Sequence, residues 1–278
     1  MFAGMSYRLS ALMIPAIMLI MLCTGSTAFA QNEIWDSYIT RMNDKPATIM
    51  LDMHLILTSP DPRFPYLVIT GPKTSNVGPS GIPGKTEIEE LEKVLEATDN
   101  FLMGATSRIL AGTVTYNGQR NNYYYVRDTT VVRNAIQRMY KRNFPGYPYS
   151  LVIKKDAEWL TYRTFLFPND TTQNWMDNNR NIATMLYNGD SLDKPRTITF
   201  AACFSTDSAR TNFSSVVSER GYTIEKSPVT KVGKDNYCVL FSKVDKIDLN
   251  AINTTTLQLR EEVKRHNGVY NSWSAVGK

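Results

Sequence analysis

The sequence predicts an α+β fold of two tandem ferredoxin-like (split βαβ) domains with antiparallel sheets, set behind an N-terminal signal peptide. Three observations predict it. A short apolar leader ends in an A-x-A pattern. Short strands then alternate with amphipathic helices twice over. A turn-rich joint, "GDSLDKP", separates the two runs. The expected domains are residues 1–30 (signal), 31–170 (first α+β domain), 171–193 (connecting helix and linker) and 194–278 (second α+β domain).

The leader carries Arg8, an apolar run of about eleven residues from Leu12 to Leu22, and Ala28-Phe29-Ala30. That run is too short to span a bilayer comfortably, and the small residues at 28 and 30 suit cleavage before Gln31. The alternative is an uncleaved anchor. Lipid attachment at Cys23 is disfavoured by the bulky Leu22. No second spanning run follows, so the expected location is periplasmic or secreted. The 278 residues are 42% hydrophobic and 21% charged, an ordinary globular composition. The net charge of +5 is spread along the chain without a run of five like charges, which argues against a nucleic-acid arm. Removing the leader leaves Cys203 and Cys238. In an oxidising compartment they are candidates for a disulfide, and the alternative is two buried thiols.

Strands are predicted over Trp35–Asn43, Ala47–Leu57 and Pro65–Pro72. "KTEIEELEKVLEATDNF" is helical, with Thr86 and Glu89 at capping-box spacing and Ile88, Leu91 and Leu95 on one face. Asn117-Gly118 marks a hairpin, because both turn residues must take positive φ. A helix carries Val131, Ala135 and Met139 and stops before Pro145. "YSLVIKK" is the next strand, and Trp159–Phe167 is a further apolar stretch. Residues 171–188 read as a helix with Trp175, Ile182 and Met185 or Leu186 on one side, capped by Gly189. The second half begins with the strand "RTITFAACF". A helix from Asp207 follows, ended by Gly221, and then two strands joined through Gly233-Lys234-Asp235. A last helix carries Leu249, Ile252, Leu259 and Val263, with Gly268 at its cap. Tyr270 and Trp273 follow at once. A loose tail avoids large aromatics, so these two either cover the end of the core or form a contact surface.

"GVYNSWSAV" resembles the close of RraB-like domains, relatives of regulator of ribonuclease E activity B. "GDSLDKPRTITFAACF" and "NFSSVVSERGYTIE" are similar to the first strand and first helix of such domains. The first half resembles an uncharacterised family, domain of unknown function six-nine-five, in Trp35-Asp36-Ser37-Tyr38, "KPATIMLDM", "NGQRNNYYYV" and "FLFP". The resemblances cover roughly residues 33–276. They imply two α+β domains and a binding or regulatory role. Two departures stand out. Asn271 and Ser272 replace the Asp-Gly usual between the Tyr and the Trp, and Phe200 and Ala201 replace a His-Trp pair. The family's cytoplasmic partner, ribonuclease E, does not fit a chain with an export leader, so an unknown protein partner is expected instead.

Catalytic patterns are sparse. "GPSGIPGKT" places Pro79 where a phosphate loop needs Gly, and its prolines remove N–H donors, so no nucleotide cofactor is expected. His54 and His266 lie in different halves without ligand-spaced neighbours, so no metal is expected. The acidic face of "EIEELEKVLE" and the basic helix with Arg133, Arg138, Lys141 and Arg142 read as solvated faces. Asn169, Asn212 and Asn253 begin glycosylation patterns. Tyr123-Tyr124-Tyr125 with Arg120 and Arg127 resembles a stacking surface for sugars or single-stranded nucleic acid, although alternation splits the three tyrosines between two faces. The candidate binding residues are therefore Arg196, Tyr270, Asn271 and Trp273, with Arg120 and Tyr125. The expected function is that of an exported, non-enzymatic macromolecule-binding or regulatory module. The alternatives are an envelope or extracellular enzyme acting on a polymer through carboxylates not paired in sequence, and a structural envelope component.

Overall fold

The computed structural model describes residues 33–78, 81–225 and 237–275. The leader, Pro79 and Ser80 of the "GPSGIPGKT" loop, the Gly233–Asp235 joint and the last three residues lie outside the described residues. The first sheet holds β1 (Trp35–Met42), β2 (Lys45–Asp52), β3 (Tyr66–Pro72), β4 (Arg108–Tyr116), β5 (Gln119–Val126) and β6 (Tyr149–Lys155). All its pairings are antiparallel, in the order β1-β2-β4-β5-β3-β6. From β3 onward the chain runs strand, helix α1 (Lys85–Met103), two strands, helix α2 (Val132–Asn143), strand. The β1–β2 hairpin extends that unit along the β4 edge.

Both faces of this sheet are covered. On one face Val68, Tyr124 and Val126 pack with Val94, Leu102, Val132, Ile136 and Met139 of α1 and α2. On the other, Leu67, Tyr123 and Tyr125 pack with Leu55, Trp159, Tyr162 and Leu166. Leu55 lies on a 3-10 turn, Met53–Leu57, so the second strand ends five residues earlier than the sequence suggests. Asp52 ends it by accepting the backbone N–H groups of His54 and Ile34. The apolar stretch after β6 becomes a π-helical turn, Thr161–Leu166, under which Asp156 accepts the N–H groups of Leu160 and Thr161.

Helix α1 departs from its expected registration. Its N-cap is Gly84 rather than Thr86, and its buried face is Glu87, Leu91, Val94, Thr98 and Leu102. The rotation leaves Ile88 exposed and buries Glu87, whose carboxylate accepts hydrogen bonds from Tyr147 and Asn76. The Asn117-Gly118 turn does take two positive φ values, 46° and 72°.

The second sheet holds β7 (Arg196–Phe204), β8 (Thr223–Ile224), β9 (Tyr237–Asp245) and β10 (Gly268–Ala275), ordered β10-β7-β9-β8 and antiparallel throughout. Helices α4 (Asp207–Glu219) and α5 (Leu249–Arg265) pack on one face through Phe213, Val217, Ile252, Leu259 and Val263. The chain after the last helix is thus a strand, where the sequence suggested a lid or a contact surface. Asn267, rather than Gly268, takes the left-handed conformation that turns the helix into it, with φ 54°. Cys203 and Cys238 face each other across β7 and β9 and are joined by a disulfide.

Helix α3 (Asp170–Tyr187) runs between the two sheets and touches both cores. Met176 packs into the first core and Ile182 into the second. Its buried residues are Asn174, Met176, Asn178 and Ile182, and Trp175, expected on the apolar side, is 39% exposed. No helix among the described residues is long and apolar enough to cross a membrane.

The β3–β5 contact depends on one glycine. A Cβ on Gly71 would stand 1.9 Å from the carbonyl oxygen of Arg120, a backbone atom that cannot move aside. Gly71→Ala is expected to lower stability by about 1–3 kcal/mol through overpacking. Thermal melting of the variant beside the parent checks this, and an unchanged melt would refute the close approach.

Candidate functional site

The sequence points to the tail, and there the structure places a buried polar junction of α3, α5 and β10. Alternation along a strand would put Tyr270 and Trp273 on opposite faces. They share a face because the β7–β10 register shifts between Tyr270 and Ser272, leaving Asn271 as an extra, exposed residue. Trp273 is only 5% exposed, and its indole N–H donates to Asn178 Oδ1 at 2.7 Å. The Asn178 amide in turn donates to Asn253 Oδ1 and Thr256 Oγ1, each at 2.7 Å. Asn174 donates to the Asn253 carbonyl at 3.2 Å and accepts from Arg260 Nε at 2.9 Å. Arg260 also donates to Asp177 at 2.8 Å, and its guanidinium lies 5.0 Å from the centre of the Tyr270 ring. Burial pushes the Tyr270 hydroxyl well above its ordinary pKa, opposed by the Arg260 charge.

This geometry corrects the expected contact surface. Tyr270 and Trp273 belong to the core of the second half, and of the tail candidates Asn271 alone is exposed. Arg196 is 4% exposed and makes a two-pronged contact with buried Asp190, which also accepts the Leu192 N–H. That pair fixes the "GDSLDKP" turn at the start of β7. The turn is therefore an internal corner of the second half rather than a loose linker.

Arg120 and Tyr125 do not form one surface. They lie on opposite faces of β5, the parity that an odd separation imposes. Arg120 is buried under α1 and pairs with Glu92 at 2.8 Å. Tyr125 stacks on Trp159 at 3.8 Å, donates to Asp156 and accepts the Tyr162 N–H. Burial first, and the bond to Asp156 second, push its hydroxyl pKa far upward.

Glu262 is a buried charge that no sequence pattern singles out. It is buried, yet it accepts from Arg220 at 2.7 Å and Arg265 at 2.9 Å, with His266 Nδ1 3.5 Å away. Burial alone would raise its carboxyl, but the hydrogen bond and charge of Arg220, with Arg265 and His266, outweigh that and hold it below the usual carboxylate range. Its spacing to Arg265 and His266 on α5 was visible, but the approach of Arg220 needs the fold. Among the described residues no cluster of His, Cys, Asp and Glu is arranged to hold a metal ion.

Two family models match the chain, one in each half. Residues 33–167 match the model of a family of unknown function, DUF695, and residues 175–275 match that of Regulator of ribonuclease activity B, RraB. The chain is thus similar to DUF695 in its first half and to RraB in its second. The RraB match begins inside α3, in keeping with the bonds from Asn178 to α5 and β10. No curated protein matches the chain. Among solved structures, one provisionally described as a glycine cleavage system transcriptional repressor is 7% identical, covers 77% of this chain and 98% of its own, and has a TM-score of 0.22. An unknown protein from Galdieria sulphuraria is 10% identical, covers 76% and 97%, and has a TM-score of 0.19. At those scores neither bears on fold or function.

Two outcomes test the junction. Trp273→Ala should cost about 3–5 kcal/mol, as expected for emptying a packed aromatic site, and Asn178→Ala about 1–3 kcal/mol, because it strands the buried indole N–H. Chemical denaturation measures both, and near-neutral effects would return Trp273 to the surface. The Glu262 carboxylate has a pKa lower folded than unfolded, so its contribution is present above the ordinary value of 4.5 and is lost as pH falls through the depressed one. Glu262→Gln should therefore lower the melting temperature at neutral pH and flatten its decline below pH 4.5. A parallel decline in parent and variant would contradict the assignment.

Proposed function

We propose that this chain is an exported, non-enzymatic regulatory module that binds a protein partner and acts by occluding its surface. The observation that carries this reading is the RraB match over residues 175–275, a family described as a regulator. The name concerns a ribonuclease; the partner proposed here is a different one, because the leader of residues 1–30 reads as an export signal. Asn271, Ser272, Phe200 and Ala201 depart from the family pattern at the tail and first strand, which favours a changed partner as well.

Both halves read as ferredoxin-like. Numbering the strands of each strand–helix–strand–strand–helix–strand unit in order, β3 to β6 and β7 to β10 each give 4-1-3-2, with two helices on one face. The surface proposed for the partner is the second sheet's outer face, opposite α4 and α5. It carries Thr197, Thr199, Ala201, Val244, Val269 and Ser274. Val244 is 65% exposed and Val269 52% exposed. Small, uncharged and β-branched side chains on a rigid sheet lose little conformational entropy on contact, which suits a flat protein interface.

In-cell cross-linking of the full chain and of Val269→Lys/Val244→Lys is the test. One dominant partner should be captured by the parent and lost in the variant, with the thermal melt unchanged. Equal capture by both would place the interface elsewhere, and no captured partner at all would sink the regulatory reading.

A further inference from the structure

A second surface lies in the DUF695 half, away from the outer face of the second sheet. Two open grooves meet at Tyr147, which lines both. One, of about 540 Å³, runs along Lys73, Thr74 and Ser75. The other, of about 390 Å³, runs along Gln137, Lys141 and Tyr149. The rings along them are held before any ligand arrives. Tyr149 stacks on buried Tyr140 with ring centres 3.9 Å apart and planes 4° apart, and it is 36% exposed. Tyr147 is fixed by its hydroxyl, which donates to Glu87 Oε1 at 3.0 Å, and Asn76 holds the other oxygen of that carboxylate at 3.1 Å. The rotation of α1 that buries Glu87 therefore has a consequence in the groove wall.

The charged side chains that line the grooves are both lysines, while the Glu87 carboxylate stands behind Tyr147, bonded to its hydroxyl. Lys73 and Lys141 stand one in each groove. On α2, Arg133 falls on the same exposed row as Lys141, whereas Arg138 faces a separate hollow beside α1. Among the described residues, none of these cations has an ion-pair partner. Partly exposed aromatic rings, Tyr147 half-buried and Tyr149 with one face taken by Tyr140, with neutral hydrogen-bonding groups between them suit sugar rings and their hydroxyls. Unpaired lysines suit carboxylates. A nucleic-acid strand would call for cations along the whole floor, one for each phosphate. Here Gln137, Thr74 and Ser75 share the lining with one lysine in each groove.

We propose that the two grooves form one binding site for an acidic oligosaccharide, with sugar rings on Tyr147 and Tyr149 and carboxylates paired with Lys73 and Lys141. The binding is distinct from the protein contact proposed for the second sheet and does not depend on it.

Isothermal titration of the full chain with tri-galacturonate, with neutral cellotriose and with a short oligothymidylate tests the site. Tri-galacturonate is expected to bind at least about tenfold more tightly than cellotriose, and more weakly as salt rises. Lys73→Glu and Lys141→Glu, both at exposed positions, should each reduce that affinity about tenfold with an unchanged thermal melt. Tyr147→Phe keeps the ring but frees it from Glu87, and should weaken binding less than the charge reversals do. No binding of tri-galacturonate, binding indifferent to both lysine variants, or tighter binding of oligothymidylate through the same lysines would each overturn the proposal.

Discussion

The second half of the molecule depends on the hydrogen bond from the Trp273 indole to Asn178. An indole N–H taken out of water must find an acceptor, and leaving it bare costs about as much as a packed side chain contributes. Asn178 supplies that acceptor from α3, and its own amide is then satisfied by Asn253 and Thr256 on α5. Helix α3 is thereby held to one geometry against α5 and β10, which lie some distance further along the chain, by a single side chain. The apolar contacts of Ile182 and Met185 on α3 are less directional and tolerate small shifts. The amide does not, so the polar junction fixes where α3 sits, and α3 in turn places Met176 in the first core.

The register shift at Asn271 makes that bond available. Without an extra residue, Trp273 would face away from α3 whenever Tyr270 faced the core. The same strand is an edge, with one row of backbone groups unpaired by other strands. Asn181 on α3 donates to the Trp273 carbonyl from that side at 3.4 Å. A bulge and a covering helix are both ways of blunting an edge against pairing with another chain. The tail's aromatics thus serve the core, and the conspicuous residues of the sequence are the ones least free to meet a partner.

Legibility from sequence followed the range of the interaction. Helix and strand positions, the Asn117-Gly118 turn and the α+β class rest on local periodicity and turn chemistry, and they were readable. Helix registration was not. Ile88 looked like a core residue on α1, but Glu87 displaced it once Tyr147 and Asn76 were brought to its carboxylate. The last strand was hidden for a different reason. A bulge breaks the period of two, and without that period Tyr270 and Trp273 carry no strand signal. Arg120, Tyr125 and Arg196 are ligand-binding candidates by residue type alone. Their partners Glu92, Asp156 and Asp190 are assigned only by the pairing of strands and the placement of helices.

The two halves share a strand order but differ in what covers the sheet, and the difference is written in their strands. A sheet covered on both faces can bury successive residues, and β5 runs "YYYV" with every side chain buried. A sheet covered on one face must alternate, and β7 runs "RTITFAACF" with every second residue buried. The first half closed its second face with the 3-10 turn, the π-helical turn and Trp159. The second half has Thr197, Val244, Val269 and Ser274 exposed at the corresponding positions. Exposed side chains on a rigid sheet are where contact with another molecule costs the fold least. The doubly covered half instead has its exposed cations on α2, and the ring of Tyr149 stands at the start of β6 beside that helix.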